Sequence, residues 1–189
     1  MKNTQSSKEM WSSASGEALV LGLIPVAYSL ISMLAGRMDP DSVVAKFIST
    51  VLLGILWLVK FIGCIMLMRF FLKRFAESNP GNVQSDVFRY GLIISIMSAF
   101  ICATYCLVDI LYLHPDTYME AFDTMLQTNG AMLDSNSMGI IEQFKDNLPI
   151  YGFFGNLIYC FLFGMVLSAI ISGRVVSDNP FDNSKPDEQ

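Results

Sequence analysis

Apolar positions in this chain run on instead of alternating with polar ones. Four stretches, about 17–36, 47–68, 90–113 and 148–173, each hold at most one charged residue, and polar segments separate them. A half-buried strand alternates apolar and polar residues, and a soluble helix shows one apolar stripe; neither describes such runs. A helix rises about 1.5 Å per residue and the hydrocarbon core of a bilayer is about 30 Å thick, so about 20 mostly apolar residues cross it. All four stretches meet that length. Short connections between the first three force antiparallel neighbours. The pattern predicts an all-α integral membrane protein, an up-down-up-down four-helix bundle with an amphipathic helix in its outer loop. Residues 1–16 form a polar N-terminal segment, 17–176 the four-span domain with an outer helical loop at 114–147, and 177–189 a polar C-terminal tail.

The polar segments carry their own signals. Trp11 stands where an aromatic would meet lipid headgroups. Asp41 or Ser42 is placed to cap the second span, which is expected to continue as helix through Phe75. Turn residues between Glu77 and Asp86 end in two cap candidates for the third span, Ser85 and Asp86. In the outer loop, Thr117 and Glu120 fit a capping box behind Pro115. Tyr118, Met119, Phe122, Met125 and Leu126 then recur on one helical face, with Asp116, Glu120 and Asp123 elsewhere, until Thr128-Asn129-Gly130 ends the helix. Met138, Ile141, Phe144 and Leu148 form a second pattern leading into span four. With almost no basic residues to attract anionic lipid, these helices are expected to cap the bundle rather than lie on the leaflet. The tail is expected to be disordered, with Asn179-Pro180-Phe181 as a turn.

Composition agrees. Apolar residues make up 53% of the 189 and charged residues 15%, against about 25% charged in ordinary soluble proteins. The net charge of −5 is segregated. Lys2, Lys8, Arg69, Lys73, Arg74, Arg89, Arg174 and Lys185 fall on one side of the predicted spans, and only Arg37, Lys46 and Lys145 on the other. The positive-inside rule then puts both termini in the cytoplasm and the acidic 114–147 loop outside. No basic patch suggests nucleic-acid binding. The first span is longer than the apolar core of about 7–15 residues in a cleavable signal peptide, so it is expected to act as an uncleaved anchor. Cys64, Cys102, Cys106 and Cys160 all fall inside spans, which implies no disulfide framework.

Membrane helices associate through small residues and hydrogen bonds. Candidate packing positions are Ala18, Gly22, Pro25, Ser29, Ser32 and Gly36 in span one; Gly91, Ser95, Ala99 and Ala103, flanked by Ser98 and Cys102, in span three; and Gly164, Ser168 and Ser172 in span four. These read as seams within the chain, a homodimer interface being the alternative. Lys60 is the anomalous charge, near mid-membrane. Its backbone is about 13 Å from Asp109 in depth, too far for a direct pair. A polar network linking Lys60 to Asp109 through Asn156, Tyr105, Tyr159 and Tyr28 is the candidate site; the alternative is that Lys60 snorkels and Asp109 sits at the interface. Cys102 and Cys106 lie one turn apart, a spacing that suits a soft metal, but with no further ligand they read as packing. His114 reads as a helix-entry residue. No nucleophile–base set falls within the spans, so the chain is not expected to be an enzyme and implies no cofactor and no metal.

The order of features resembles a known family. A Gly-containing first span (Gly22 to Leu30) is followed by a second span ending in basic residues. Ser85-Asp-Val-Phe-Arg-Tyr-Gly91 leads into the third, His114-Pro115-Asp116 opens the outer helix, and Asn179-Pro180-Phe181 follows the Gly/Ser-rich last span. The chain is similar along nearly its whole length to small four-span proteins of the Bacteroidota, the domain of unknown function numbered four-one-nine-nine. That resemblance implies an inner-membrane location in a Gram-negative cell and carries over no catalytic residue. The expected role is a small accessory, assembly or structural component of the inner membrane acting by binding. Its partners would be the bilayer and a membrane protein or second copy. A small oligomeric transporter or channel using the intramembrane polar residues is the second reading.

Overall fold

The computed structural model of the protein describes residues 7–36, 43–78, 83–129 and 143–177. Every element among them is helical: α1 (Ser7–Gly36), α2 (Val43–Ser78), α3 (Gln84–Val108), which runs on into a π-helical turn at Asp109–Leu113, α4 (Pro115–Asn129) and α5 (Leu148–Ser177). Met10–Met33, Phe47–Ser78, Gln84–Leu113 and Leu148–Val175 are each long and apolar enough to cross a membrane. The cap candidates Asp41 and Ser42, the stop at Gly130, the Met138 and Ile141 pattern and the tail with Asn179-Pro180-Phe181 lie outside the described residues.

The helices are longer than the apolar runs alone imply. α1 begins at Ser7, within the polar N-terminal segment, because Ala14 and Ala18 are completely buried against neighbouring helices. α2 continues to Ser78, past the basic stretch. At the start of α3 the cap works backwards: Asp86 lies in the first turn and its Oδ2 accepts a hydrogen bond from the Val83 N–H at 3.3 Å. This satisfies one of the donors a helix start leaves open, and Ser85 is exposed. Pro25 sits inside α1 without ending it, as neighbouring helices allow in membrane helices.

The buried core lies at one end of the helices. Ala14 and Ala18 of α1 meet Met68, Phe71, Leu72, Phe75 and Ala76 of α2, Val87, Tyr90 and Ile94 of α3, and Ile171 of α5. Elsewhere large apolar side chains face outward, Phe47 at 70% and Met66 at 66% exposure among them. Water would not tolerate this much contiguous apolar surface; lipid has no such objection.

α3 is the most buried helix and packs chiefly on α5 through a reciprocal pair of contacts. Ser95 of α3 faces Gly164 of α5, where a methyl group would lie 2.7 Å from the Ser95 Cβ. One turn away, Ser168 of α5 faces Gly91 of α3, where a methyl group would lie 2.8 Å from the Ser168 Cβ. Each serine donates to the carbonyl four residues back on its own helix, Ser95 to Gly91 and Ser168 to Gly164, both at 2.7 Å. The hydroxyls are thereby satisfied within apolar surroundings, and the two hydroxyl oxygens sit 3.4 Å apart. Ala99 and Ala103 continue the buried face of α3. Gly22 of α1 packs on Ile101, at 3.0 Å from a notional Cβ, and its carbonyl accepts the Cys102 thiol at 3.6 Å. At the far end of α3 and α5, Ile110 fills the space beside Gly152.

Candidate functional site

α2 touches α3 near its own C-terminus, where Leu72 nears Gly91 and Phe75 stacks on Tyr90. Further back along α2 a cavity of about 510 Å³ opens between the helices, lined by all four spans. α1 contributes Pro25, Tyr28 and Ser29; α2 contributes Trp57, Lys60, Phe61 and Cys64; α3 contributes Ser98, Cys102 and Tyr105; α5 contributes Asn156, Tyr159, Cys160 and Phe163. Its size falls within the range of about 300–1,000 Å³ usual for small-molecule sites.

Lys60 is the charged residue of this lining. At about 1.5 Å per residue it stands about 13 Å along the helix from Arg69 and about 21 Å from Lys46. An ammonium at such depth costs at least ~2.5–3.5 kcal/mol. Here the Nζ lies 4.3 Å from the centroid of the Tyr28 ring, a cation–π contact that returns about 0.5–2 kcal/mol. No carboxylate lines the cavity among the described residues. Opposite Lys60, Asn156 accepts the Cys160 thiol at 3.0 Å through Oδ1, which leaves its amide N–H groups as donors. Trp57 stacks on Phe61 at 5.6 Å between centroids, and Phe61 meets Phe163 at 5.3 Å, forming an aromatic wall.

Five of the six residues of the candidate polar network therefore meet at one cavity: Lys60, Asn156, Tyr105, Tyr159 and Tyr28. Asp109 is elsewhere. Its Oδ1 accepts from the His114 ring at 2.8 Å and its Oδ2 from the Tyr118 hydroxyl at 2.7 Å. An ionised carboxylate only accepts, so His114 Nδ1 carries the hydrogen in this pair. Tyr105, one turn before Asp109, instead lines the cavity together with Ser29 of α1. The expected chain of polar groups from Lys60 to Asp109 is thus divided into a half-open cavity between the helices and a cluster at the π-helical turn. The π-helical register explains the split: the His114 N–H bonds the Asp109 carbonyl at 2.8 Å, which brings residue 114 over residue 109, five positions back.

This cluster ties α4 to the end of span three. Burial, and then the adjacent Asp109 carboxylate, raise the Tyr118 phenol above the ordinary tyrosine value. A folded-state pKa raised in this way gives stability that is fully present below the unfolded value of about 10 and lost as pH rises through the folded one. The contribution of Tyr118 to α4 docking should therefore be unchanged through neutral pH and lost in strong alkali. Phenolate absorbance titration of wild type and Tyr118→Phe should show one tyrosine that titrates late only in the wild type. If the absorbance missing from Tyr118→Phe titrates near the ordinary value of about 10, the contact is excluded. On the other side of α4, Asp123 pairs with Lys145 in the helical turn at 143–146, and Phe144 stacks on Tyr151 at 4.3 Å. Both ends of the segment between spans three and four are thus fastened to the spans.

A third polar cluster escaped the sequence reading. Tyr90, fully buried, donates to Glu17 Oε2 at 2.7 Å and lies 3.2 Å from the Ser13 hydroxyl. Its single proton goes to the carboxylate, so Ser13 donates to it. Tyr90 stacks on Phe75 at 3.9 Å and an interplanar angle of 8°, and Arg74 shares the recess beside it. The signal available was the acid Glu17 at the edge of an apolar run. Among the described residues, no group of three or more His, Cys, Asp and Glu side chains is placed to hold a metal ion. Cys106 instead points its thiol at the Gly152 carbonyl, 3.9 Å away.

Four long apolar helices, with their large side chains turned outward and a half-open, largely apolar cavity shared by all four, define a multi-pass membrane protein. Residues 17–173 match the family described as protein of unknown function (DUF4199), and the chain belongs to that family. No curated protein and no solved structure matches it.

Proposed function

We propose that this chain is a four-span protein of the inner, cytoplasmic membrane that acts by binding and not by catalysis, with the cavity around Lys60 as its binding element. The spans run up-down-up-down as a four-helix bundle with both termini in the cytoplasm, and α4 is an amphipathic helix on the outer side. The observation that carries the reading is the direction of Lys60: its ammonium is turned over Tyr28 into a cavity shared by four helices. A lysine that only snorkels would reach toward an interface and leave no such space behind. The contacts of Gly91 with Ser168 and Gly164 with Ser95 form within one chain, which supports reading these stripes as seams rather than as a homodimer interface. An accessory role toward another membrane protein would use the acidic side of α4. The same interior lysine favours a small transporter as the second reading, and solute flux in vesicles that vanishes in Lys60→Met would select it.

The binding reading is tested through Trp57, which lines the cavity; the other tryptophan, Trp11, is removed by Trp11→Phe. A brominated long-chain methyl ester should quench Trp57 with a saturable component in detergent micelles. Gly155 lines the cavity with open space where a Cβ would sit, so Gly155→Phe should remove that component. Quenching that never saturates, or that is identical in Gly155→Phe, would refute the reading.

A further inference from the structure

The geometry points to a definite ligand class for this cavity: an apolar, long-chain molecule that carries a single carboxylate. The inference rests on the cavity being a binding site. The carboxylate sits beside the Lys60 ammonium and within reach of the Asn156 amide, and the apolar body lies along the Trp57–Phe61–Phe163 wall.

The hydrogen-bonding inventory selects the head group. Lys60 offers donors only, and Asn156 adds the two N–H donors of its amide, with one lone pair of its oxygen taken by the Cys160 thiol. The aromatic face of Tyr28 attracts the cation without supplying a strong acceptor. A head group that accepts therefore meets the charged donor and the amide donors together, while the tyrosine and serine hydroxyls of the lining can turn to donate to it as well. Charge narrows the choice further. The lining holds one cation and no anion among the described residues, so a monoanion balances it. A phosphate dianion is better served by paired or forked cations, which the lining lacks. The rest of the lining selects the body. Aromatic and aliphatic walls at this depth offer nothing to a small hydrated anion, which would lose its water without compensation. A long-chain carboxylate also sheds head-group water at this depth, but Lys60 and Asn156 replace those hydrogen bonds and its chain stays in apolar surroundings throughout.

The test compares a dibrominated octadecanoate with its methyl ester, both titrated against Trp57 in the Trp11→Phe protein. The acid should saturate the quenching at a concentration about ten- to a hundredfold lower than the ester, the ratio expected of a hydrogen bond to a charged group. Lys60→Met should erase that preference and Lys60→Arg should keep it. Equal saturation by acid and ester in the Trp11→Phe protein overturns the carboxylate inference while leaving the cavity reading standing. Loss of saturable quenching by both overturns the two together. The acid–ester comparison needs no change at Lys60, so a Lys60→Met protein that fails to fold does not remove the test. If Lys60→Met elutes as a single folded species and still prefers the acid, Lys60 is not the anion's partner.

Discussion

Tyr90→Ala should cost about 3–5 kcal/mol of stability, the range for truncating a large buried aromatic. Unfolding by titration with a denaturing detergent from mixed micelles would measure it. Tyr90 is completely buried where α1, α2 and α3 converge, stacked on Phe75 and bonded to Glu17. Truncation opens a cavity there and leaves the Glu17 carboxylate without its donor. Tyr90→Phe separates the two contributions. The ring and its stacking survive, and the loss should be about 1–3 kcal/mol, the cost of stranding a part-buried acceptor. A Tyr90→Phe protein as unstable as Tyr90→Ala would mean that the hydrogen bonds, not the packing, hold this end together. No loss in either would remove Tyr90 from the core.

Gly91→Leu should separate α3 from α5. Even a methyl group at Gly91 meets the Ser168 Cβ at 2.8 Å and a Leu72 methyl at 3.4 Å. The Ser168 Cβ cannot rotate out of the way, so the helices themselves must part. Overpacking of this kind costs about 1–3 kcal/mol, occasionally more, and here it also disturbs the Ser95–Gly164 contact one turn away. The expected result is a lower unfolding midpoint and faster exchange of the α3 and α5 backbone amides, with α4 undisturbed. Gly63→Leu is the control, since nothing lies within 4 Å of a Cβ there. Equal effects at Gly63 and Gly91 would contradict the seam.

Much of this arrangement was legible because membrane-spanning helices announce themselves by length and apolarity alone. The start of α1 was not, since its serines look like a solvated segment and only tertiary contact explains why Ala14 and Ala18 are buried. Lys60 stood out as a charge in an apolar run. Its direction was harder to read, because a helix apolar on every side has no polar face from which to infer orientation. The separation of Asp109 from Lys60 depended on a π-helical turn, and α-helical spacing gives no hint that residue 114 would stand over residue 109. Glu17 and Tyr90 are remote in sequence, so their pairing required the fold. The small-residue stripes were readable as packing surfaces, though not which stripe met which. Gly91 and Ser168 find each other only once α3 and α5 are placed side by side.

Four crossings of the bilayer, with the cavity between them, underlie both the fold and the binding site. Reporters fused in separate proteins to the N-terminus, to the C-terminus and within residues 130–142 test that most directly, using one enzyme active only outside the cytoplasm and one fluorophore bright only within it. Cytoplasmic signals from both ends and an outside signal from the loop are predicted; ends that report opposite compartments would contradict it.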